Sequence, residues 1–144
     1  MTPMDPNQTR VEAVHRTLLI IWVFLLMSVS GFFLMTVVVP SSAQGDNTLV
    51  TIVLLVLGIS TTLLSFVVKQ SFLSKSVATQ DLKLVQQAYI VALALCESAG
   101  LFGLLIHFVT GSIYYYASFA LAIIGILLHF PKKQHVQDAT FKRF

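Results

Sequence analysis

The sequence predicts an all-α integral membrane protein, a four-helix bundle built as two hairpins with both termini in the cytoplasm. Three observations lead to this fold class. Of the 144 residues, 56% are hydrophobic and only 10% are charged, whereas soluble domains average about 25% charged residues. The apolar residues are gathered into four long segments, and the mean hydropathy of the chain is +0.85. All nine Lys and Arg residues lie outside those segments.

The four apolar segments are expected to form one transmembrane domain that occupies residues 1–144. The predicted spans are residues 17–39, 48–68, 85–109 and 113–130. These lengths are close to the roughly 20 residues with which a helix crosses a bilayer. Pro40 and Pro131 end the first and last spans because proline interrupts a helix, and Gly111 marks a tight turn between the third and fourth.

A polar connector is expected between the second and third spans, over residues 69–84. Thr79 and Asp81 predict the start of the next helix there. The Thr79 hydroxyl would cap free N–H groups, and the Asp81 carboxylate would favour the positive end of the helix dipole.

The positions of the charges predict the orientation. The Lys and Arg residues precede the first span, join the second to the third, or follow the fourth, while Asp46 is the one charge in the other two connections. With four spans, the three basic regions share one side of the membrane. Cytoplasmic loops carry the excess of Lys and Arg, so both termini are predicted in the cytoplasm of a bacterial inner-membrane protein.

Glu97 is the one acidic residue within the predicted spans, near the middle of the third. A charged group there is costly, so we expect the carboxyl group to be neutral and buried among hydroxyl groups. We predict a proton or hydrogen-bond site formed by residues at the same depth: Glu97, Ser28, Ser30, Ser60, Thr61 and Thr62. Three interpretations stay open: a structural hydrogen bond between helices, a reversible proton or cation site, and docking against a larger partner.

Small residues recur every three or four positions along the third span, which is typical of close helix packing. The stripe consists of Ala88, Ala92, Cys96, Gly100 and Gly103. It predicts that this span is the central helix of the bundle, with self-association as the alternative use of the stripe.

Other chemistry finds little support in the sequence. His15 and His129 are both expected near the cytoplasmic side and are the possible ligands of a haem or pigment, although no cofactor is predicted. No pair of metal-ligand residues has helical spacing within a span, no Ser–His or Cys–His pair is expected at one depth, and no phosphate-binding loop is present. We therefore predict no metal site, no catalytic residues and no nucleic-acid binding.

Two resemblances rest on the third span. Residues 94–104 read ALCESAGLFGL. This segment resembles the ion-binding helix of rotary ATPase proteolipid (c) subunits, in which Glu97 would match the ion-carrying carboxylate and Phe102-Gly103-Leu104 the aromatic-Gly-Leu string that follows. The whole chain looks more like small bacterial four-helix membrane proteins of unknown function, which share an ALxExxxLFG-like third span and a Thr-Gly turn. That resemblance implies a fold and no activity.

From these features we expect a non-enzymatic accessory or assembly subunit of a larger inner-membrane complex. Its partners would be membrane lipid and other membrane subunits or further copies of the chain. The alternative is a proton- or cation-handling protein that uses Glu97, possibly as a homo-oligomer. A weaker alternative is a haem- or pigment-binding electron-transfer subunit.

Overall fold

The structure, a computed structural model, describes residues 6–42 and 47–140, and these are mostly helical. The elements in order are α1 (Pro6–Val38), α2 (Thr48–Thr79), α3 (Leu82–Leu105), a π-helical turn (Ile106–Thr110), α4 (Tyr115–Leu128) and α5 (Lys133–Asp138). No strand occurs in these ranges, so the all-α prediction is confirmed. Asp46, Lys142 and Arg143, on which the orientation partly depends, lie outside them.

Three of the described helices are long and apolar enough to cross a membrane: α1, α2, and α3 with its π-helical extension. The fourth apolar helix, α4, has only 14 residues. At 1.5 Å per residue it is roughly 21 Å long, shorter than the predicted span 113–130, because residues 112–114 and 129–132 form turns.

The predicted connector between the second and third spans is largely helical, which corrects the sequence interpretation. α2 continues past Lys69 to Thr79, since no proline or glycine interrupts it and Ser74 and Ser76 donate hydrogen bonds to carbonyls of their own helix. Thr79 does not cap α3; its hydroxyl donates to the Lys75 carbonyl at the end of α2.

Asp81 alone caps α3, accepting a hydrogen bond from the Lys83 N–H group over 2.9 Å. Gln80, in the left-handed conformation with φ 54°, ends α2 just before it. Gln80 and Asp81 are therefore the two residues that join α2 to α3.

α3 is the central helix, as predicted, and packs against α1, α2 and α4. α1 and α2 flank the α3–α4 pair, and both also contact α4. The short α5 folds back under the bundle, where Val136 and Ala139 are buried against Val11 and Val85. We refer to this end as the α5 end and to the opposite one as the Gly111 end.

Candidate functional site

Glu97 receives one hydrogen bond from a neighbouring helix. The Ser28 hydroxyl on α1 donates to Glu97 Oε1 over 2.6 Å. Both side chains are partly exposed, so the predicted burial of Glu97 is not complete. Within the described part of the chain, this is the one hydrogen bond found to the carboxyl group. The second carboxyl oxygen is thus left for a donor from outside the bundle.

The predicted group of hydroxyls around Glu97 reduces to Ser28. The other four donate to carbonyls one turn back in their own helices: Ser30 to Leu26, Ser60 to Val56, and Thr61 and Thr62 to Gly58. Ser30 and Ser60 are also exposed. Equal depth along the helices placed these residues near Glu97, but their directions around the helix axes differ.

Glu97 lies at the edge of the buried face of α3. Successive residues in an α-helix turn by 100°, so Glu97 projects well away from Cys96, which is fully buried. Ile90, Ala94 and Leu101, which share the side of Glu97, are exposed. The carboxyl group therefore opens onto the outer surface, in the groove between α1 and α3.

An exposed apolar row on α1 adjoins this groove. Its residues follow one another at helical spacing, and we call them the α1 outer face: Ile20, Phe24, Met27, Gly31 and Met35. Phe24 and Met27 are 71% and 67% exposed, and α1 is the least buried of the three long helices. A carboxyl group thus stands beside a surface that is otherwise apolar.

The small-residue stripe of α3 is occupied by the chain's own helices. Ala88, Ala92, Cys96, Gly100 and Gly103 are all buried. A Cβ atom on Gly100 would meet Val29 of α1 at 3.4 Å, and one on Gly103 would meet Phe119 of α4 at 3.0 Å. The stripe therefore forms intramolecular contacts and is not open to other molecules, whereas the α1 outer face is.

A buried Cys–Ser–His cluster lies between α2, α3 and α4, against the prediction that no such pair shares one depth. Cys96 Sγ donates to Ser65 Oγ over 3.4 Å, and Ser65 Oγ is 3.3 Å from His129 Nε2. All three side chains are inaccessible to solvent.

Counting residues from the span ends misplaced His129. Side chains on helices lean back toward the N-terminus, and the His129 ring follows this rule, since its Nδ1 lies 2.7 Å from the Gly125 carbonyl oxygen one turn earlier. Gly125 in turn packs on Cys96. Gly125 is the small residue one turn before His129 in the sequence. Its depth in the bundle indicates the depth at which the His129 ring lies.

The two histidines predicted as possible cofactor ligands do not form an open site. A carbonyl oxygen only accepts hydrogen bonds, so His129 Nδ1 carries the proton and donates to Gly125, while Nε2 faces Ser65 and Phe66 covers the ring at 4.4 Å between centroids. His15 Nε2 instead lies 3.2 Å from the Pro131 carbonyl oxygen. Across the described residues, no group of three His, Cys, Asp or Glu side chains is arranged to hold a metal ion.

A second polar cluster surrounds Tyr89 near the α5 end. The Tyr89 hydroxyl lies 2.7 Å from His135 Nδ1 and accepts a hydrogen bond from the Lys132 N–H group over 3.1 Å. The Lys69 ammonium lies 4.3 Å from the centre of the Tyr89 ring, in a cation–π contact. One buried tyrosine therefore gathers two lysines and a histidine.

His135 is expected to make stability depend on pH. Its burial, followed by the positive charges of Lys69 and Lys132, lowers its pKa, although Asp138 opposes the shift. The unfolded chain then binds a proton more readily than the folded one. Stability should be fully present above the unfolded histidine pKa of about 6.5 and fall as the pH drops below it.

Thermal unfolding in detergent between pH 8 and pH 5 measures this dependence. His135→Asn retains an acceptor for the Tyr89 hydroxyl and should flatten the loss of melting temperature on the acid side. An identical pH profile in the variant would contradict the assignment to His135.

Comparison of the chain with protein-family models, with curated proteins and with solved structures finds no match. The two resemblances carried by residues 94–104 stay predictions.

Proposed function

We propose that this chain is a non-enzymatic accessory or assembly subunit of a larger complex in a bacterial inner membrane, which it contacts through the α1–α3 groove. The observation that carries the proposal is the partly exposed Glu97, hydrogen-bonded on one side to Ser28 and open on the other.

Four membrane crossings with cytoplasmic termini are part of the proposal. After the Gly111 turn, α4 and the residues around it return along α3 until the Lys132 N–H group reaches Tyr89. From Thr110 back to Tyr89, α3 and its extension rise by about 30 Å, the thickness of a hydrocarbon core. This return supports a fourth crossing in spite of the short α4, and the Lys and Arg distribution supports the orientation.

The energetics of Glu97 favour a protein partner over lipid alone. A carboxyl group exposed to hydrocarbon is costly, by about 2.5–3.5 kcal/mol for the charged form on insertion scales. A helix packed against the α1 outer face and donating a hydrogen bond to the free oxygen would remove that cost. Interhelical hydrogen bonds of this kind contribute about 1–2 kcal/mol in model peptides.

Purification of the tagged chain from its native membranes in mild detergent tests the proposal. We expect stoichiometric association with other membrane subunits. Glu97→Ala removes the acceptor and should weaken association roughly tenfold, whereas Glu97→Gln, which can still donate and accept, should retain it.

Glu12→Ala is the matched control, because Glu12 is an exposed acid paired with Lys133 outside the apolar segments. It should leave association unchanged. A wild-type chain that purifies as a lone monomer, or an equal loss in Glu12→Ala and Glu97→Ala, would overturn the accessory role.

The second candidate is a proton- or cation-handling protein, favoured by the same access of Glu97 from the outer surface. This second function predicts that the chain purifies as a closed homo-oligomer, without other membrane subunits. Glu97→Gln would then keep the assembly intact and abolish ion flux into reconstituted vesicles, a combination that the accessory role does not produce.

A further inference from the structure

A groove on α2 beside the Tyr89 cluster is not used by the proposed docking surface. It has a volume of about 270 Å³ and is lined by Phe66, Lys69, Gln70, Leu73 and Ser74. Phe66 lies one helical turn from Lys69 toward the Gly111 end, and the polar Gln70 and Ser74 lie toward the α5 end. The groove is therefore apolar at the Gly111 end and mixed at the α5 end, its more polar end, where Leu73 lies between Gln70 and Ser74.

Positive charge in excess accompanies the polar end. Lys132 lies close enough to Lys69 for the two charges to repel each other, and both act on His135. In the described ranges the one ion pair joins Lys133 to Glu12. Asp138 is the acidic group near this cluster and acts on His135. The positive charges of Lys69 and Lys132 are thus accompanied by one carboxylate, that of Asp138, in the described ranges.

Tyr89 keeps the two lysines together although they repel. Its ring face attracts the Lys69 ammonium, and its hydroxyl accepts the backbone N–H of Lys132. Since Tyr89 is fully buried, both contacts have a rigid base. The Lys69 ammonium and the Lys132 backbone are thus fixed close together, and the excess of positive charge over the one nearby carboxylate, Asp138, is suited to an anion with more than one acceptor oxygen.

We propose that an anionic phospholipid binds here, with an acyl chain in the groove along Phe66 and the headgroup phosphate between Lys69, which lines the groove, and Lys132, whose backbone Tyr89 holds beside Lys69. In the orientation proposed above, Lys69 follows the second span at the cytoplasmic boundary, where phosphate groups lie and basic residues attract anionic lipid. The inference depends on that orientation and is independent of Glu97.

Native mass spectrometry of the protein in a non-ionic detergent tests the site, with phosphatidylglycerol compared with phosphatidylcholine of the same chain length. We expect phosphatidylglycerol to be retained preferentially. Lys69→Gln with Lys132→Gln should weaken its binding about thirtyfold, from roughly fivefold for each lysine. Lys69→Arg with Lys132→Arg should retain it.

Lys75→Gln with Lys83→Gln is the matched control, since both lysines are exposed and near the same end of the bundle. It should change binding by less than about twofold, as expected for surface charge outside the site. The Lys69 change could disturb the contact with Tyr89, so Lys132→Gln alone is the second variant. Because Lys132 is exposed, this variant should fold, and we expect it to bind phosphatidylglycerol about fivefold more weakly.

Three results would overturn the proposal: equal losses in the two lysine pairs, equal binding of the two lipids, or displacement of phosphatidylglycerol by millimolar inorganic phosphate. The last would indicate a free phosphate ion as the ligand. None of them bears on the association measured with the Glu97 variants, so the two proposals fail separately.

Discussion

Gly125→Leu is expected to destabilise the bundle more than any other change considered. A Cβ atom at Gly125 on α4 would lie 2.8 Å from Cys96 Sγ and 3.2 Å from Thr62 Cγ2, so α3 and α2 both obstruct it. Both obstructing side chains are buried and engaged in hydrogen bonds. Overpacking of this kind typically costs about 1–3 kcal/mol, and leucine adds three further carbons.

The melting temperature in detergent should fall by at least about 5 °C. Gly31→Leu is the matched control, because a Cβ atom there has no neighbour within 4 Å, and it should leave the melting temperature unchanged or slightly higher. Gly125→Ala combined with Cys96→Ala, which removes the nearest obstructing atom, should be more stable than Gly125→Ala alone. If Gly125→Leu melts like the wild type, the three-helix contact is wrong.

Gly31→Trp is expected to abolish association with the partner without harming the fold. Gly31 lies in the α1 outer face beside Ser28, and the space in front of it is open. An indole there would separate a docked helix from Glu97 by several ångströms. We expect association to weaken by more than about tenfold, since both the packing and the interhelical hydrogen bond are lost.

Leu63→Trp provides the control for added bulk, because Leu63 is 63% exposed on α2, away from the α1–α3 groove. Co-purification should persist in this variant. In both Gly31→Trp and Leu63→Trp, the helix content and the melting temperature should match those of the wild type. Retained association in Gly31→Trp, or an equal loss in Leu63→Trp, would show that partners bind elsewhere.

The apolar segments and two of the breaks between helices could be predicted because they depend on local chemistry. α1 ends two residues before Pro40, and Gly111 adopts φ 64° at the turn before α4. The helical structure of the connector after Lys69 could not be predicted from the apolar pattern. Serines interrupt that pattern, but they do not interrupt the helix, because their hydroxyls donate hydrogen bonds to its carbonyls.

The candidate site was predicted in part. Glu97 stands out in any reading of the sequence because it is the one acid in an apolar segment, and Ser28 proved to be its partner. The Cys96–Ser65–His129 cluster could not be predicted from depth alone, since it depends on how the His129 side chain leans and on which face of α2 carries Ser65.

The sequence by itself determined the all-helical class, the end of α1 before Pro40, the turn at Gly111, the one-sided distribution of Lys and Arg, and the prominence of Glu97. Only the tertiary structure decided which faces meet. Helices that are apolar around their whole circumference carry no polar side to mark the exterior. Gly31 and Gly125 are alike in the sequence, yet Gly31 is open and Gly125 faces both α2 and α3. The direction of each residue around its helix axis, which only packing determines, separates an exposed surface from a core.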